Sequence, residues 1–171
     1  AAQGSVVELV NYNAPGQIVI AGATAAVERA IAAAKTRGAK RGVLLPVSAP
    51  FHCSLMRPAA DRLATRLAEI VIATPVLPVI HNVDVAEHRD HDAIRDALAR
   101  QAANPVHWTA TVRAMAERGV THVVECGPGK VLANLVKRID GRLEGFALTS
   151  GSMLEDTLAQ LAGGNAGRTM R

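Results

Sequence analysis

At 171 residues, 49% of them hydrophobic and 20% charged, the chain holds apolar material for one ordinary core with a small satellite, and its makeup excludes a disordered polymer. The formal charge of +4 is scattered, and aromatics make up only 2%, so no basic stripe interleaved with aromatics invites nucleic acid. The apolar runs fall far short of a membrane span and no charged-then-apolar leader opens the chain, which predicts a soluble, cytoplasmic protein with no membrane partner.

In chain order, Val6 to Val10 reads as a strand and Asn11 to Gly16 as a turn rich in Asn, Pro and Gly. Gln17 to Gly22 is a second strand, antiparallel to the first. A helix from Thr24 to Thr36 follows, with Ala26, Val27, Ala30, Ile31 and Ala34 as its apolar stripe, and Gly38 ends it. Arg41 to Leu45 reads as a third strand. The order β-β-α-β is a ferredoxin-like arrangement lacking its first strand and helix, and it leads us to expect a longer parent chain.

Leu45 to Met56 is the stretch of greatest chemical interest. Pro46 and Pro50 bracket Val47-Ser48-Ala49 and hold the preceding residues extended, so the chain reaches His52 on a stiff, non-helical lead. Pro58 suits the first turn of the helix beyond, expected over Arg57–Glu69 with Ala59, Leu63, Leu67 and Ile70 on one side. Two readings of His52 stay open on these residues. It is a general base on a rigid loop, or a half-buried histidine bonded to backbone through one ring nitrogen.

Further on, Pro75 to Ile80 reads as a short edge strand and Asn82 to His91 as a polar loop. Asp92 is placed to cap a helix from Ala93 to Ala102, and a helix from Thr109 to Arg118 ends at Gly119. Val120 to Cys126 is a buried strand turned by Gly127-Pro128-Gly129 into a helix from Lys130 to Ile139. A strand from Leu143 to Leu148 and a helix from Met153 to Ala162 follow, with Gly163 to Arg171 as a frayed tail. From residue 46 onward the alternation of strands and helices predicts an α/β layer architecture with a parallel sheet.

Other groups carry weaker chemistry. Gly127-Pro128-Gly129 sits where open α/β folds bind ligands, with Lys130 in the next turn. It lacks the spacing of a P-loop or dinucleotide fingerprint, so a structural tight turn is the stronger reading. Glu87 to Asp92 is a solvated loop rather than a metal site, since no second ligand cluster accompanies it. His107 and His122 are assigned to packing and hydrogen bonding. Cys53 and Cys126 form no CxxC pattern and are expected as small buried side chains. If His52 is a base, its nucleophile is missing: Ser5, Ser48, Ser54, Ser150 and Ser152 all lack the flanking glycines of a Gly-x-Ser-x-Gly elbow.

Four ordered motifs then carry a resemblance over Val6 to about Ala162. Asn11-Tyr12-Asn13-Ala14-Pro15-Gly16-Gln17-Ile18-Val19-Ile20-Ala21-Gly22, Pro46 to Met56, Asn104-Pro105-Val106-His107-Trp108 and Glu125 to Leu132 resemble the malonyl-CoA:acyl carrier protein transacylase family. The resemblance covers the C-terminal half or so of that enzyme. It implies the C-terminal part of an α/β-hydrolase-like acyltransferase domain (residues 47–171) preceded by a partial ferredoxin-like small subdomain (residues 1–46).

It also implies ping-pong transfer of a malonyl group from malonyl-CoA to the phosphopantetheine thiol of acyl carrier protein, through a serine acyl-enzyme and without a cofactor or metal. His52 matches the family's catalytic base, and Gln101 the residue whose backbone carbonyl holds the other imidazole nitrogen. Asn11 and Asn13 match an asparagine-bearing loop over the cleft. Phe51, just before the base, matches a position where related polyketide acyltransferases pair Phe with malonyl and Ser with methylmalonyl. The family's serine elbow, carboxylate-binding arginine and oxyanion loop have no counterpart in these residues, so the chain alone is expected not to turn over. Two alternatives remain beside this reading: an acyltransferase domain of a polyketide or fatty acid synthase, and a truncated, non-catalytic binding module. The tail shows no linker into another module, which favours the discrete enzyme.

Overall fold

The computed structural model describes residues 2–163, so most of the expected tail lies outside the described residues. The chain divides into two compact units, Ala1–Thr111 and Val112–Arg171.

The first unit is built on a hairpin. Strand β1 (Val7–Ala14) pairs antiparallel with β2 (Gln17–Gly22). The expected turn at residues 11–16 shrinks to Pro15-Gly16, and Asn11, Tyr12 and Asn13 are strand residues. The irregularity that reads as a loop in sequence is taken up by register shifts between Leu9 and Asn11 and between Tyr12 and Ala14, which leave Val10 and Asn13 without partners on β2. Gly22 closes the hairpin at φ +153°, where an added Cβ would lie 2.1 Å from the Val6 carbonyl oxygen. Helix α1 (Thr24–Thr36) matches the expected span and buries Ala26, while Ala34 at the far end of its stripe is exposed.

The third strand expected at Arg41–Leu45 does not form. These residues have strand composition but no neighbouring strand among the described residues to complete a ladder, and Val43, Leu44 and Leu45 are exposed. After a 3₁₀ turn at Ser54–Met56, helix α2 (Arg57–Ala68) starts with Pro58 in its first turn, as expected. It buries Ala60 and Leu67 rather than Ala59 and Leu63. The strand expected at Pro75–Ile80 survives only as β3 (Ile80–His81), paired with β4 (Ala86–Glu87) inside the stretch read as loop. Helix α3 (His91–Gln101) is capped by Asp90, not Asp92: the Asp90 carboxylate accepts from the N–H groups of Asp92 and Ala93, which lowers its pKa. The core of this unit includes Val10, Ala14, Ala26, Cys53, Ile94 and Ala97.

Helix α4 (Trp108–Glu117) spans the point of division and ends before Gly119, which adopts the expected left-handed cap. In the second unit β5 (His122–Cys126) and β6 (Glu144–Leu148) pair in parallel, joined through α5 (Val131–Ile139). α5 buries Ala133, Leu135, Val136 and Ile139. Gly145 allows this packing, since a Cβ there would meet the Ala133 carbonyl oxygen at 2.3 Å. Helix α6 (Ser152–Gly163) is the last described element. The expected parallel pairing is thus present in this unit, whereas the pairings in the first unit's two hairpins are antiparallel.

Candidate active site

His52 sits in a turn between the proline-bracketed lead and the 3₁₀ turn, with φ +63°, a left-handed conformation that a non-glycine residue adopts at a cost. The lead is not the extended segment expected: the Val47 N–H donates to the Leu45 carbonyl at 2.9 Å across Pro46, and the chain bends at Ser48-Ala49 before it turns at Phe51-His52. Cys53 is extended and fully buried (0% exposed), which pins the turn to the core. The Cys53 side chain thus serves packing, as expected. Cys126, expected buried as well, is exposed, because it is the last residue of β5.

The imidazole Nδ1 lies 2.8 Å from the main-chain carbonyl oxygen of Gln101. A carbonyl can only accept, so Nδ1 is the donor, and in the neutral ring the lone pair is then on Nε2. Gln101 is the last residue of α3, where carbonyls have no partner four residues on. The amides that follow turn back in i→i+3 fashion, from Ala102 to Ala99 and from Ala103 to Arg100, and the Asn104 side chain donates to Arg100 at 2.7 Å. The Gln101 oxygen is thereby left for the histidine. Any positive charge that develops on the ring also faces the negative end of α3.

The surroundings of Gln101 are polar and paired. Its side-chain oxygen accepts the Asn82 N–H at 3.3 Å, and Asn82 in turn accepts from His107 N–H and the Thr111 hydroxyl. One residue earlier, Arg100 donates to Asp84 at 2.7 Å and to Asp96 at 2.5 Å, and His88 also donates to Asp84 at 3.0 Å. Burial pushes the Asp84 carboxyl up, but the bonds from Arg100, His88 and the Ala86 N–H outweigh it and bring it below the usual range. The Arg100 guanidinium is correspondingly raised, first by Asp84. His81, 6% exposed and ring-packed against His88, has its pKa lowered chiefly by burial.

Three of the four motifs converge in this unit. Val106 bridges the free edge of β1: its N–H donates to Val10 and its carbonyl accepts from Tyr12, at 2.8 and 3.0 Å. Tyr12 stacks on His107 with centroids 5.3 Å apart, and the Thr109 hydroxyl donates to the Tyr12 carbonyl. Asn11 and Asn13 thus stand on a strand tied on both sides, and both are partly exposed. Phe51 is half-exposed (48%) beside His52. His122 pairs with the Thr121 hydroxyl and stacks on Phe146, the packing role expected of it.

The fourth motif lies in the second unit. There the Glu125 carboxylate accepts the Ala133 N–H at 2.9 Å, so a carboxylate of the chain itself already caps the helix after Gly127-Pro128-Gly129. This favours the structural reading of that turn. The residues 87–92, considered for metal, instead cap α3 through Asp90, bond Asp84 through His88 and meet Thr74 through His91.

Sequence reasoning missed Glu8. Its carboxylate accepts the Ser54 hydroxyl at 2.6 Å and the Ser54 N–H at 2.8 Å, which holds its pKa below the ordinary value against a small opposing effect of burial. A lone carboxylate inside Val6-Val7-Glu8-Leu9-Val10 was the available clue.

Comparison with known proteins agrees with this geometry. The chain is 56% identical over 158 residues to the malonyl CoA-acyl carrier protein transacylase of Escherichia coli (strain K12), covering 92% of this chain and 51% of that protein. It is 40% identical over 153 residues to the protein of the same name from Bacillus subtilis (strain 168), covering 90% and 48%. Among solved structures, an acyl-carrier-protein S-malonyltransferase from Burkholderia pseudomallei 1710b superposes with a TM-score of 0.88 at 54% identity, over 91% of this chain and 50% of that one. A malonyl-transacylase solved in complex with a type II polyketide acyl-carrier protein gives 0.91 at 50% identity, over 93% and 52%. The chain spans about half the length of the curated relatives it matches. The model of the acyl transferase domain family matches residues 2–144, and with the α/β fold and the ordered motifs this establishes that the chain belongs to the acyl transferase domain family.

Proposed function

We propose that this chain is the C-terminal portion of a malonyl-CoA:acyl carrier protein transacylase, with His52 as its general base and the Gln101 carbonyl as the orienting partner. The observation that carries the reading is the 2.8 Å bond from His52 Nδ1 to that carbonyl, which leaves Nε2 ready to take a proton. The nucleophilic serine belongs to the half of the enzyme beyond these residues. His52 Nε2 accepts the serine proton as the serine oxygen attacks the malonyl thioester carbonyl. It then returns that proton to the departing CoA sulfur, leaving malonyl-serine. In the second half-reaction Nε2 takes the proton of the carrier protein's phosphopantetheine thiol, the sulfur attacks the acyl-serine, and the proton ends on the serine oxygen. No cofactor or metal enters either step. Asn11, Asn13 and Phe51 are assigned to the substrate cleft, residues 1–46 to the small subdomain and residues 47–171 to the large one. The described helices include none long and apolar enough to cross a membrane, which fits a cytoplasmic enzyme of fatty acid synthesis.

The similarity to a transacylase held by a polyketide carrier protein favours a second acceptor, a carrier of polyketide synthesis. The test is malonyl transfer by the full-length enzyme that carries this chain, with malonyl-CoA and each carrier in turn. We expect transfer to the fatty acid carrier and a loss of roughly 10³-fold in the His52→Ala variant. Acyl-enzyme formation at the parent rate in that variant would remove His52 from the mechanism.

A further inference from the structure

The loop that presents His52 is fastened at one point by a carboxylate from a distant element. Ser54 opens the turn leading into α2, and its N–H is one of the donors that a helix start leaves without a partner. The Glu8 carboxylate satisfies that N–H at 2.8 Å and the Ser54 hydroxyl at 2.6 Å, from 46 residues away. Glu8 is itself immobilised, because β1 pairs with β2 at Glu8↔Ala21 and is tied again to Val106 three residues later. Between this clamp and the Gln101 carbonyl lies His52 at φ +63°, a conformation that persists only when its surroundings determine it. Cys53, the single residue between His52 and Ser54, is fully buried and leaves no slack.

We propose that Glu8 is a positioning residue for His52: by gripping Ser54 through both carboxylate oxygens it holds the left-handed turn that keeps the imidazole on the Gln101 carbonyl. The inference rests on His52 being the base. Both oxygens of Glu8 are engaged as acceptors, so an ionised carboxylate takes both donors with one oxygen each, whereas an amide offers a single acceptor oxygen and must turn its NH₂ toward the hydroxyl. The lowered pKa of Glu8 agrees with that ionised state.

The test is a double-mutant cycle in the full-length enzyme that carries this chain, reading the rate of acyl-enzyme formation at saturating malonyl-CoA. Displacement of a catalytic group by about 1 Å costs about 100-fold, so Glu8→Ala should slow this step by about 10- to 100-fold, with half-saturation by malonyl-CoA unchanged. Glu8→Gln should fall between parent and Glu8→Ala. Ser54→Ala, which keeps the N–H contact, should lose only a few-fold. In a His52→Ala background neither substitution should slow the step further, because the group they position is gone. This last result separates positioning from general stabilisation, and if Glu8→Ala does not fold, Glu8→Gln and Ser54→Ala carry the same cycle. Additive losses in the His52→Ala background, or a parent-like Glu8→Ala beside an impaired His52→Ala, overturn the inference. A parent-like His52→Ala instead overturns the base assignment, and the role of Glu8 falls with it.

Discussion

Arg100 grips the Asp84 carboxylate at 2.7 Å from the residue immediately before the carbonyl that receives His52. The pair therefore ties the end of α3 to the β3–β4 hairpin, and His88 and Asp96 extend it into a network. Arg100→Ala should destabilise the full-length enzyme by about 1 kcal/mol, the upper end for partly exposed ion pairs, because Asp84 and Asp96 each lose a guanidinium partner. Chemical denaturation would measure it. Amide exchange at Ala102 and Ala103, whose N–H groups close the helix end, should quicken in the same variant. A variant as stable and as protected as the parent would make the network ornamental.

The left-handed turn at His52 predicts an unusual stability ranking of two substitutions there. Glycine adopts φ +63° without the cost that alanine bears, about 1 kcal/mol. His52→Gly should therefore melt above His52→Ala although it removes more of the side chain. Differential scanning calorimetry of the two variants decides this, and the reverse order would mean that the turn relaxes once the ring is gone.

Phe51 tests the acyl pocket proposed above. Its half-exposed ring is free to wall a cleft rather than fill the core. One methyl group is worth ~1–3 kcal/mol of discrimination, or about 10- to 200-fold, so Phe51→Ser should relax the preference for malonyl-CoA over methylmalonyl-CoA within that range. Competition between the two thioesters gives the ratio of kcat/KM directly. An unchanged ratio would return Phe51 to a packing role.

His81 predicts how stability varies with pH. Burial lowers its folded pKa first, His88 and Arg100 add to this, and Asp84 opposes it. The unfolded chain thus binds a proton more readily than the folded one just below the ordinary imidazole value of 6.5. The stability due to neutral His81 is complete above that value and is lost as pH falls through the lowered folded pKa. His81→Gln should flatten the fall in stability as pH drops from neutrality to below the ordinary imidazole range. Denaturant midpoints across that window, parent against variant, should diverge toward low pH, and parallel curves would rule the effect out.

The isolated chain should behave poorly by itself. Val76 is 95% exposed and Leu77 75%, and Val43, Leu44, Leu45, Val47 and Val71 join them in the first unit. Apolar exposure of this kind promotes association. We expect binding of a hydrophobic dye and elution as larger species from gel filtration, whereas a monomer with a sharp cooperative melt would contradict this.

Helices were legible wherever local spacing decided them. The helix expected from about Thr24 to Thr36 forms at Thr24–Thr36, because the positions of Ala26, Val27 and Ile31 and the stop at Gly38 are local facts. Strands depended on partners. Gln17–Gly22 was readable because its partner is adjacent in sequence, while Arg41–Leu45 has strand composition and pairs with nothing among the described residues. Asn11 to Asn13 looked like a turn because a bulged strand tolerates the same residues. At the site, His52 stood out through its prolines and Gln101 through family resemblance alone. Glu8 escaped because its partner lies 46 residues away and nothing in a single sequence joins them.

Because the group that orients His52 is a peptide oxygen, no codon specifies it. Every amino acid supplies the same atom at position 101, so the orienting partner survives any single substitution that leaves the helix end in place. A serine protease-like arrangement with a carboxylate can be lost in one base change. Here inheritance protects the partner through the backbone path of α3, and a mutational scan should find position 101 permissive while deletions or insertions nearby break the bond to His52.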